Sequence, residues 1–225
     1  MTLKAILFDF DGTLANSEEA HRGVWNRILA AYGTELGEQE YKRDYAGLPV
    51  PAGAHKVCKA RGLEVDELEL VERKTRLTAE VFASVPVALM PHAREALEWA
   101  RGRGLRLALV TGTARAELTP TLDHHGLAGF FECVVTRDDV AHSKPDPESY
   151  LRALELLGLP ASEALAIEDT CHGVQAADAA ELEVVAIPND YSRDHDFGEA
   201  SFIADGLPDA IEWIERERLG GAVER

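Results

Sequence analysis

The chain has 225 residues, enough for one well-buried α/β domain with an appendage or for two small domains. Its 23 Lys+Arg against 40 Asp+Glu leave a net charge of −17, and so acidic a surface repels nucleic acid and anionic lipid headgroups, which excludes polyanionic partners. A phosphorylated ligand would have to be drawn in by local positive charge, from a metal ion or a lysine.

The chain starts Met1-Thr2-Leu3-Lys4-Ala5-Ile6-Leu7-Phe8 and runs straight into Asp9, without the apolar core and small-residue cleavage site of a signal peptide. No apolar run approaches the roughly 18 residues of a membrane span, so a soluble, cytoplasmic protein is expected. Lys4–Phe8 is the first of five short apolar runs of strand length; the others are Leu105–Val110, Cys133–Thr136, Ala164–Ile167 and Val184–Ile187. Helical patterns separate most of them, and that alternation predicts a parallel sheet covered on both faces. One stretch breaks the rhythm. From about Ser17 to Val85 several helical segments follow one another with no convincing strand: Ser17 can cap a helix whose apolar positions are Val24, Ile28, Leu29 and Tyr32, and 66–85 has a second long helical pattern. The expected fold class is therefore α/β, a Rossmann-like parallel sheet core of residues 1–15 plus 88–225 with a helical cap domain, 16–87, inserted after the first strand. Pro86 and Pro91 bracket the return to the core, and Gly104 stands where the helix before the second strand needs a C-cap. The three cysteines, Cys58, Cys133 and Cys171, are widely spaced and form no C-x-x-C pair, so free thiols are expected rather than a disulfide framework or a structural zinc site.

In open α/β sheets ligands gather at the carboxyl ends of the strands. Asp9-Phe10-Asp11-Gly12-Thr13 follows the first apolar run, Thr111-Gly112-Thr113 the second and Glu168-Asp169 the fourth, while the segment after the third ends in Ser143-Lys144-Pro145-Asp146-Pro147. Together they supply what phosphoryl transfer needs. Asp9 and Asp169 offer hard oxygen ligands for Mg2+; Thr111 and nearby backbone amides can donate to phosphate oxygens, and Lys144 adds a point charge. Three ionised carboxylates and a phosphate dianion carry about five negative charges, of which a magnesium ion and Lys144 offset about three, so the site needs its cation. Each motif alone has an ordinary use, as a tight turn, a solvated loop or a helix cap. Their joint occurrence at strand ends is what those uses do not explain.

Asp9-Phe-Asp-Gly-Thr-Leu14, Leu107-Ala-Leu-Val-Thr-Gly112, Lys144-Pro-Asp-Pro147 and Ile167-Glu-Asp-Thr-Cys-His-Gly-Val-Gln-Ala-Ala177 resemble the motifs of the haloacid dehalogenase superfamily, in its branch of phosphatases and phosphomutases with a helical cap after the first strand. The resemblance covers nearly the whole chain, the cap only in general character. It implies that Asp9 is nucleophile and metal ligand, and that Asp11 is general acid/base and lends its backbone carbonyl to the metal. It also implies that Thr111 and Lys144 hold the phosphoryl group beside Gly112 and Thr113, and that Asp169 binds Mg2+ with Glu168 as a further or outer ligand. His21 matches a position near the cap hinge of sugar-phosphate enzymes and could position Asp11 or a substrate hydroxyl, or simply pack. Asp11 favours phosphate esters over haloacids, because an alkoxide leaving group needs a proton and a halide does not. To donate at neutral pH, Asp11 should hold its proton well above the reference pKa of about 3.9, with its carboxylate turned from the metal. Two residues depart from the pattern: Asn16 stands where many relatives have Asp, and Glu181 where glycine is usual.

The implied activity is a magnesium-dependent phosphatase of a small phosphorylated metabolite, a sugar phosphate or a phosphoglycolate-like compound, acting through an aspartyl-phosphate. One alternative is a phosphosugar mutase, which must grip a second phosphate; the corresponding cap loop, Ala46–Ala54, carries no Lys or Arg. A non-catalytic binding protein with the same fold is the other. A monomer is expected, and a dimer is compatible. Trp25, Trp99 and Trp213 are expected to pack helices, and His124 and His125 to be surface or packing residues.

Overall fold

The computed structural model describes residues 2–220. Strand β1 (Ala5–Phe8) leads into four helices, α1 (Glu18–Leu29), α2 (Glu38–Asp44), α3 (Val50–Arg61) and α4 (Glu67–Ser84). Then follow α5 (Ala93–Gly102), β2 (Arg106–Val110), α6 (Arg115–His125), β3 (Cys133–Val135), α7 (Glu148–Leu157), β4 (Ala164–Glu168), α8 (Cys171–Ala179), β5 (Glu183–Ala186), β6 (Phe202–Ile203) and α9 (Leu207–Glu217). The six strands form one parallel sheet in the order β3-β2-β1-β4-β5-β6. Every residue of β1 and β4 is buried, which is why β1 and the first four residues of β4 read as unbroken apolar runs rather than alternating ones. Helices α5, α6 and α9 cover one face through Leu97, Leu118, Leu122 and Ile214, and α7 and α8 cover the other through Tyr150, Leu154, Val174 and Ala177.

The α1–α4 block has a core of its own, including Trp25, Ile28, Leu29, Tyr41, Val57 and Leu70. Its two crossings to the sheet run side by side: Asn16 N donates to Ala88 O (2.8 Å) and Met90 N to Leu14 O (2.9 Å), around an Ala15–Leu89 bridge. Helix α4 packs back against α6. Gly104 takes φ 74° after α5, the left-handed turn that lets the chain double into β2.

Three details differ from the sequence reading. The sheet has a sixth strand, β6, whose two residues are too short for any periodicity to reveal; Phe202 is held there by stacking on Trp213 at 5.4 Å. Asp66 does cap α4, accepting from Leu68 N at 2.9 Å, but Ser17 makes no cap bond to α1 because its hydroxyl is used elsewhere. Trp25 packs within the helical block and also borders the cleft described below. The three cysteines are free, and His125 is half-buried with Nε2 against Val87 O at 2.8 Å.

Candidate active site

Strand β1 lies mid-sheet, and the connections from its two neighbours β2 and β4 lead off to opposite sides, so a crevice opens at its carboxyl end. Asp9, the residue after β1, is buried there. Gly12 turns the chain sharply at φ 82°, and a Cβ on it would lie 2.1 Å from Asp169 Oδ2. Only glycine lets the first loop approach the carboxylate at the end of β4 so closely.

Asp9, Glu168 and Asp169 are all buried, and an oxygen from each lies within 4.8 Å of the others. Lys144 bridges two of them, its Nζ 2.7 Å from Asp9 Oδ1 and 2.6 Å from Glu168 Oε1, with a third contact to Val110 O at 2.8 Å. Tyr150 donates to the same Glu168 oxygen at 2.6 Å. Burial, then repulsion from Glu168, raises Asp9 well above the usual carboxylate range, and burial followed by Asp9 and Glu168 does the same to Asp169. Burial disfavours the Lys144 ammonium, but Asp9 and Glu168 together outweigh it and push the lysine up. Three buried acids sharing one lysine leave unbalanced negative charge. The donors are all carboxylate oxygens, the hard ligands a divalent cation such as Mg2+ prefers, so the residues fit the expected ion. Asp169 is oriented from behind by Asn189, whose Nδ2 donates to its Oδ2 at 2.7 Å.

Asp11 has no side-chain oxygen in that cluster. Its carboxylate faces Ser17 Oγ, Thr113 Oγ1, Thr111 Oγ1 at 3.3 Å and His21 Nε2 at 3.4 Å. The expectation of a raised pKa is not met. Burial pushes Asp11 up, but the hydrogen bond from His21, with those from Ser17 and Thr113, wins and holds it below the usual carboxylate range. Sequence spacing could not show how many donors would converge on this carboxylate. It is Asp11, too, that claims the Ser17 hydroxyl.

His21 is set by a residue the sequence reading passed over. Lys74 of α4, 1% exposed, places Nζ 3.1 Å from His21 Nδ1 and 2.8 Å from Thr78 Oγ1, over the ring of Trp25. Burial lowers Lys74 to about 8, against the pull of Glu117, Glu18 and Asp11. An ammonium can only donate, so Nδ1 accepts and the imidazole proton sits on Nε2, facing Asp11. Sequence inspection also missed Glu18, buried on α1, which accepts from Tyr41 OH at 2.7 Å and is raised by burial. Lys74 and Glu18 occupy apolar-spaced helical positions, and a charge at a buried position is the signal that could have found them.

The cleft above these residues has a volume of about 100 Å³. Gly112, Thr113, Lys144, Asp9, Asp11 and His21 all border it, whereas Thr111 lies beneath. Thr111 accepts from Thr113 N at 3.0 Å and so supports the floor of the cleft. From the helical block come Gly47, Leu48, Pro49, Val50 and Gly53, the loop that carries no Lys or Arg.

A parallel sheet whose central crevice holds a buried carboxylate cluster with one lysine, under a helical roof, defines a hydrolase of Rossmann-like architecture. Residues 6–187 match the haloacid dehalogenase-like hydrolase family, and the chain belongs to it. It is 38% identical over 212 residues to Protein CbbY of Rhodobacter capsulatus, covering 90% of this chain and 92% of that one. It is 31% identical over 186 residues to a phosphorylated carbohydrates phosphatase of Thermotoga maritima, covering 80% and 83%. Crystal structures of CbbY from Rhodobacter sphaeroides in complex with phosphate and with xylulose-1,5-bisphosphate superpose with TM-scores of 0.83 and 0.82 at 28% identity, over 92% of this chain and 95% of theirs.

Proposed function

We propose that the chain is a magnesium-dependent phosphatase that hydrolyses a small phosphorylated metabolite, a sugar phosphate or a compound of similar size, through an aspartyl-phosphate formed on Asp9. The observation that carries this reading is the placing of two carboxylates with opposite surroundings in one cleft. Asp9 sits among acids and Lys144, where a cation and a phosphoryl group are both wanted; Asp11 sits two residues on, turned away among donors. Phosphatase relatives at this level of identity support it.

Asp9, Asp169 and Glu168 are the residues that would hold a divalent ion, which when bound would supply positive charge against the phosphoryl oxygens. The chain's own residues do the rest. Lys144 adds a fixed charge, and the backbone N–H of Gly112, at the edge of the cleft, donates to the same oxygens. An oxygen of Asp9 bonds to phosphorus as the ester oxygen departs, and the departing alkoxide takes its proton from Asp11. Water then attacks phosphorus, gives its proton to Asp11, and frees phosphate and Asp9. Asp11 enters as a carboxylate, the form the second step needs; for the first it must gain a proton. Ser17 and Thr113 hydroxyls can accept as well as donate, so they can hold either form.

Residues 16–87 act in this reading as a cap that shields the cleft, with Ala15–Asn16 and Ala88–Leu89 as the paired crossings. A mutase would need a second phosphate site, and the loop facing the cleft offers no cation for one. The same reading places a monomer in the cytoplasm, without nucleic-acid or membrane partners, in keeping with the net charge of −17. Among the described residues no helix is long and apolar enough to cross a membrane. Release of inorganic phosphate from p-nitrophenyl phosphate, with and without magnesium, compares wild type with Asp9→Asn. Turnover that persists in EDTA and in the variant overturns the proposal.

A further inference from the structure

The half of the cleft remote from Asp9, where the leaving group must lie, has an unusual charge make-up. The loop Gly47–Val50 and the rings of Trp25 and Tyr45 give it apolar walls. Its charged groups are Glu18, Lys74 and Glu117. Lys74 is already engaged by His21 and Thr78, and Glu18 by Tyr41.

Glu117 is different. It lies in the first turn of α6, only 1% exposed, and borders the cleft, yet its Oε1 has no hydrogen-bond partner. Arg137 forms an ion pair with Oε1 at 3.6 Å, beyond hydrogen-bond reach; its Nη2 donates to Thr75 Oγ1 at 3.0 Å, and its Nη1 is likewise without a hydrogen-bond partner. Burial pushes Glu117 up, opposed by His21, Lys74 and Arg137. The field at a helix N-terminus explains an acid in this turn. It does not explain an acid buried on the cleft wall with no donor, which costs free energy unless something fills the vacancy. The group best suited to do so is a hydroxyl, the neutral donor with a lone hydrogen. A second phosphate or a carboxylate would instead meet the carboxyl groups of Glu18 and Glu117, with Lys74 and Arg137 already engaged, and in neither protonation state do those two acids add positive charge.

We propose that Glu117 is a specificity-determining residue whose carboxyl group accepts a hydroxyl of the leaving group, so that the enzyme selects uncharged polyhydroxy monophosphates, such as polyol or sugar monophosphates, over bisphosphates and phosphorylated carboxylic acids. This rests on the phosphatase reading above.

The test measures kcat/KM of the magnesium-loaded enzyme on glycerol 1-phosphate, sorbitol 6-phosphate, 2-phosphoglycolate, xylulose 1,5-bisphosphate and phenyl phosphate, which has no hydroxyl. The wild type should favour the two polyol phosphates over both charged substrates by at least about tenfold, and Glu117→Ala should lower the ratio of polyol to phenyl phosphate by about tenfold to a hundredfold, as loss of a hydrogen bond to a charged group does. Glu117→Gln keeps an acceptor oxygen in place and should lower that ratio only about threefold; it also carries the test if the alanine variant fails to fold. A purely structural role lowers both substrates together and leaves the ratio unmoved. An unmoved ratio in both variants, or a wild-type preference for either charged substrate, overturns this inference alone. Failure to release phosphate from any ester, phenyl phosphate included, overturns the phosphatase reading itself and this inference with it.

Discussion

Replacing Lys74 by Met should reshape the pH dependence of stability and slow turnover at the same time. The ammonium is buried between α1, α4 and α6. The charged groups facing it are Glu18 and His21 from α1, Glu117 from α6, Arg137 after β3, and Asp11 from the first loop. Its pKa is held at about 8 in the folded protein, against 10.5 when unperturbed. Because the folded value is the lower one, the folded state loses this proton first as pH rises. Below pH 8 both states carry the proton, and the full cost of burying the charge, about 3 kcal/mol at 1.36 per pKa unit, is present. Between pH 8 and 10.5 the unfolded chain still binds the proton while the folded one does not, so that cost fades and the wild type gains stability. Met has no proton to lose. The difference in unfolding free energy between variant and wild type should therefore shift by about 3 kcal/mol in favour of the wild type from pH 7 to 10.5. Urea titrations followed by tryptophan fluorescence at several pH values, with magnesium fixed, measure it, and taking the difference cancels the titration of surface groups. In the same variant His21 loses the donor that keeps its proton on Nε2, so kcat should fall about tenfold, less than the 10²–10⁴ expected when an acid/base group is lost outright. Parallel stability curves for the two proteins across this range would refute the assignment of a strained buried ammonium.

Two other substitutions probe how tightly the fold holds the site. Gly173 opens α8 against Glu168, and a Cβ there would lie 2.0 Å from the Glu168 carboxylate. Gly173→Ala should push that side chain off Lys144 and Tyr150, destabilise by about 1–3 kcal/mol and cut kcat about a hundredfold; near-normal kinetics would show that Glu168 need not stay where it is. Glu181, exposed after α8, adopts φ 61°, a left-handed conformation that costs an L-residue about 1–2 kcal/mol. Glu181→Gly removes that strain and gives back part of it through a more flexible unfolded chain, a net gain of about 0.5–1 kcal/mol. Differential scanning calorimetry should show Tm higher by about 2 °C with activity unchanged, and a lower Tm would contradict the strain argument.

The two halves of the cleft were not equally legible in the sequence, for a physical reason. Asp9, Thr111, Glu168 and Asp169 follow directly on apolar strand runs, and in a parallel sheet that position alone puts a residue at the carboxyl edge, so finding the strands finds the site. Lys144 was legible only through its motif, because its loop returns to the edge by a path no periodicity records. The leaving-group half obeys another rule. Glu18, Lys74 and Glu117 come from three helices that meet only through the packing of the inserted block against α6, and each sits where helical spacing predicts burial while its own chemistry predicts exposure. A charged residue at such a position reads in isolation as an exception to the pattern. Three of them on helices that pack together amount to a polar pocket, but that grouping is a tertiary fact. Asp11 shows the same limit within the legible half: its place two residues after Asp9 was plain, while its protonation is decided by Ser17, His21 and Thr113, donors brought together from the first loop, α1 and the turn after β2. Chemistry fixed by the backbone of one strand end can thus be read from a motif, whereas chemistry fixed by the meeting of helices needs coordinates.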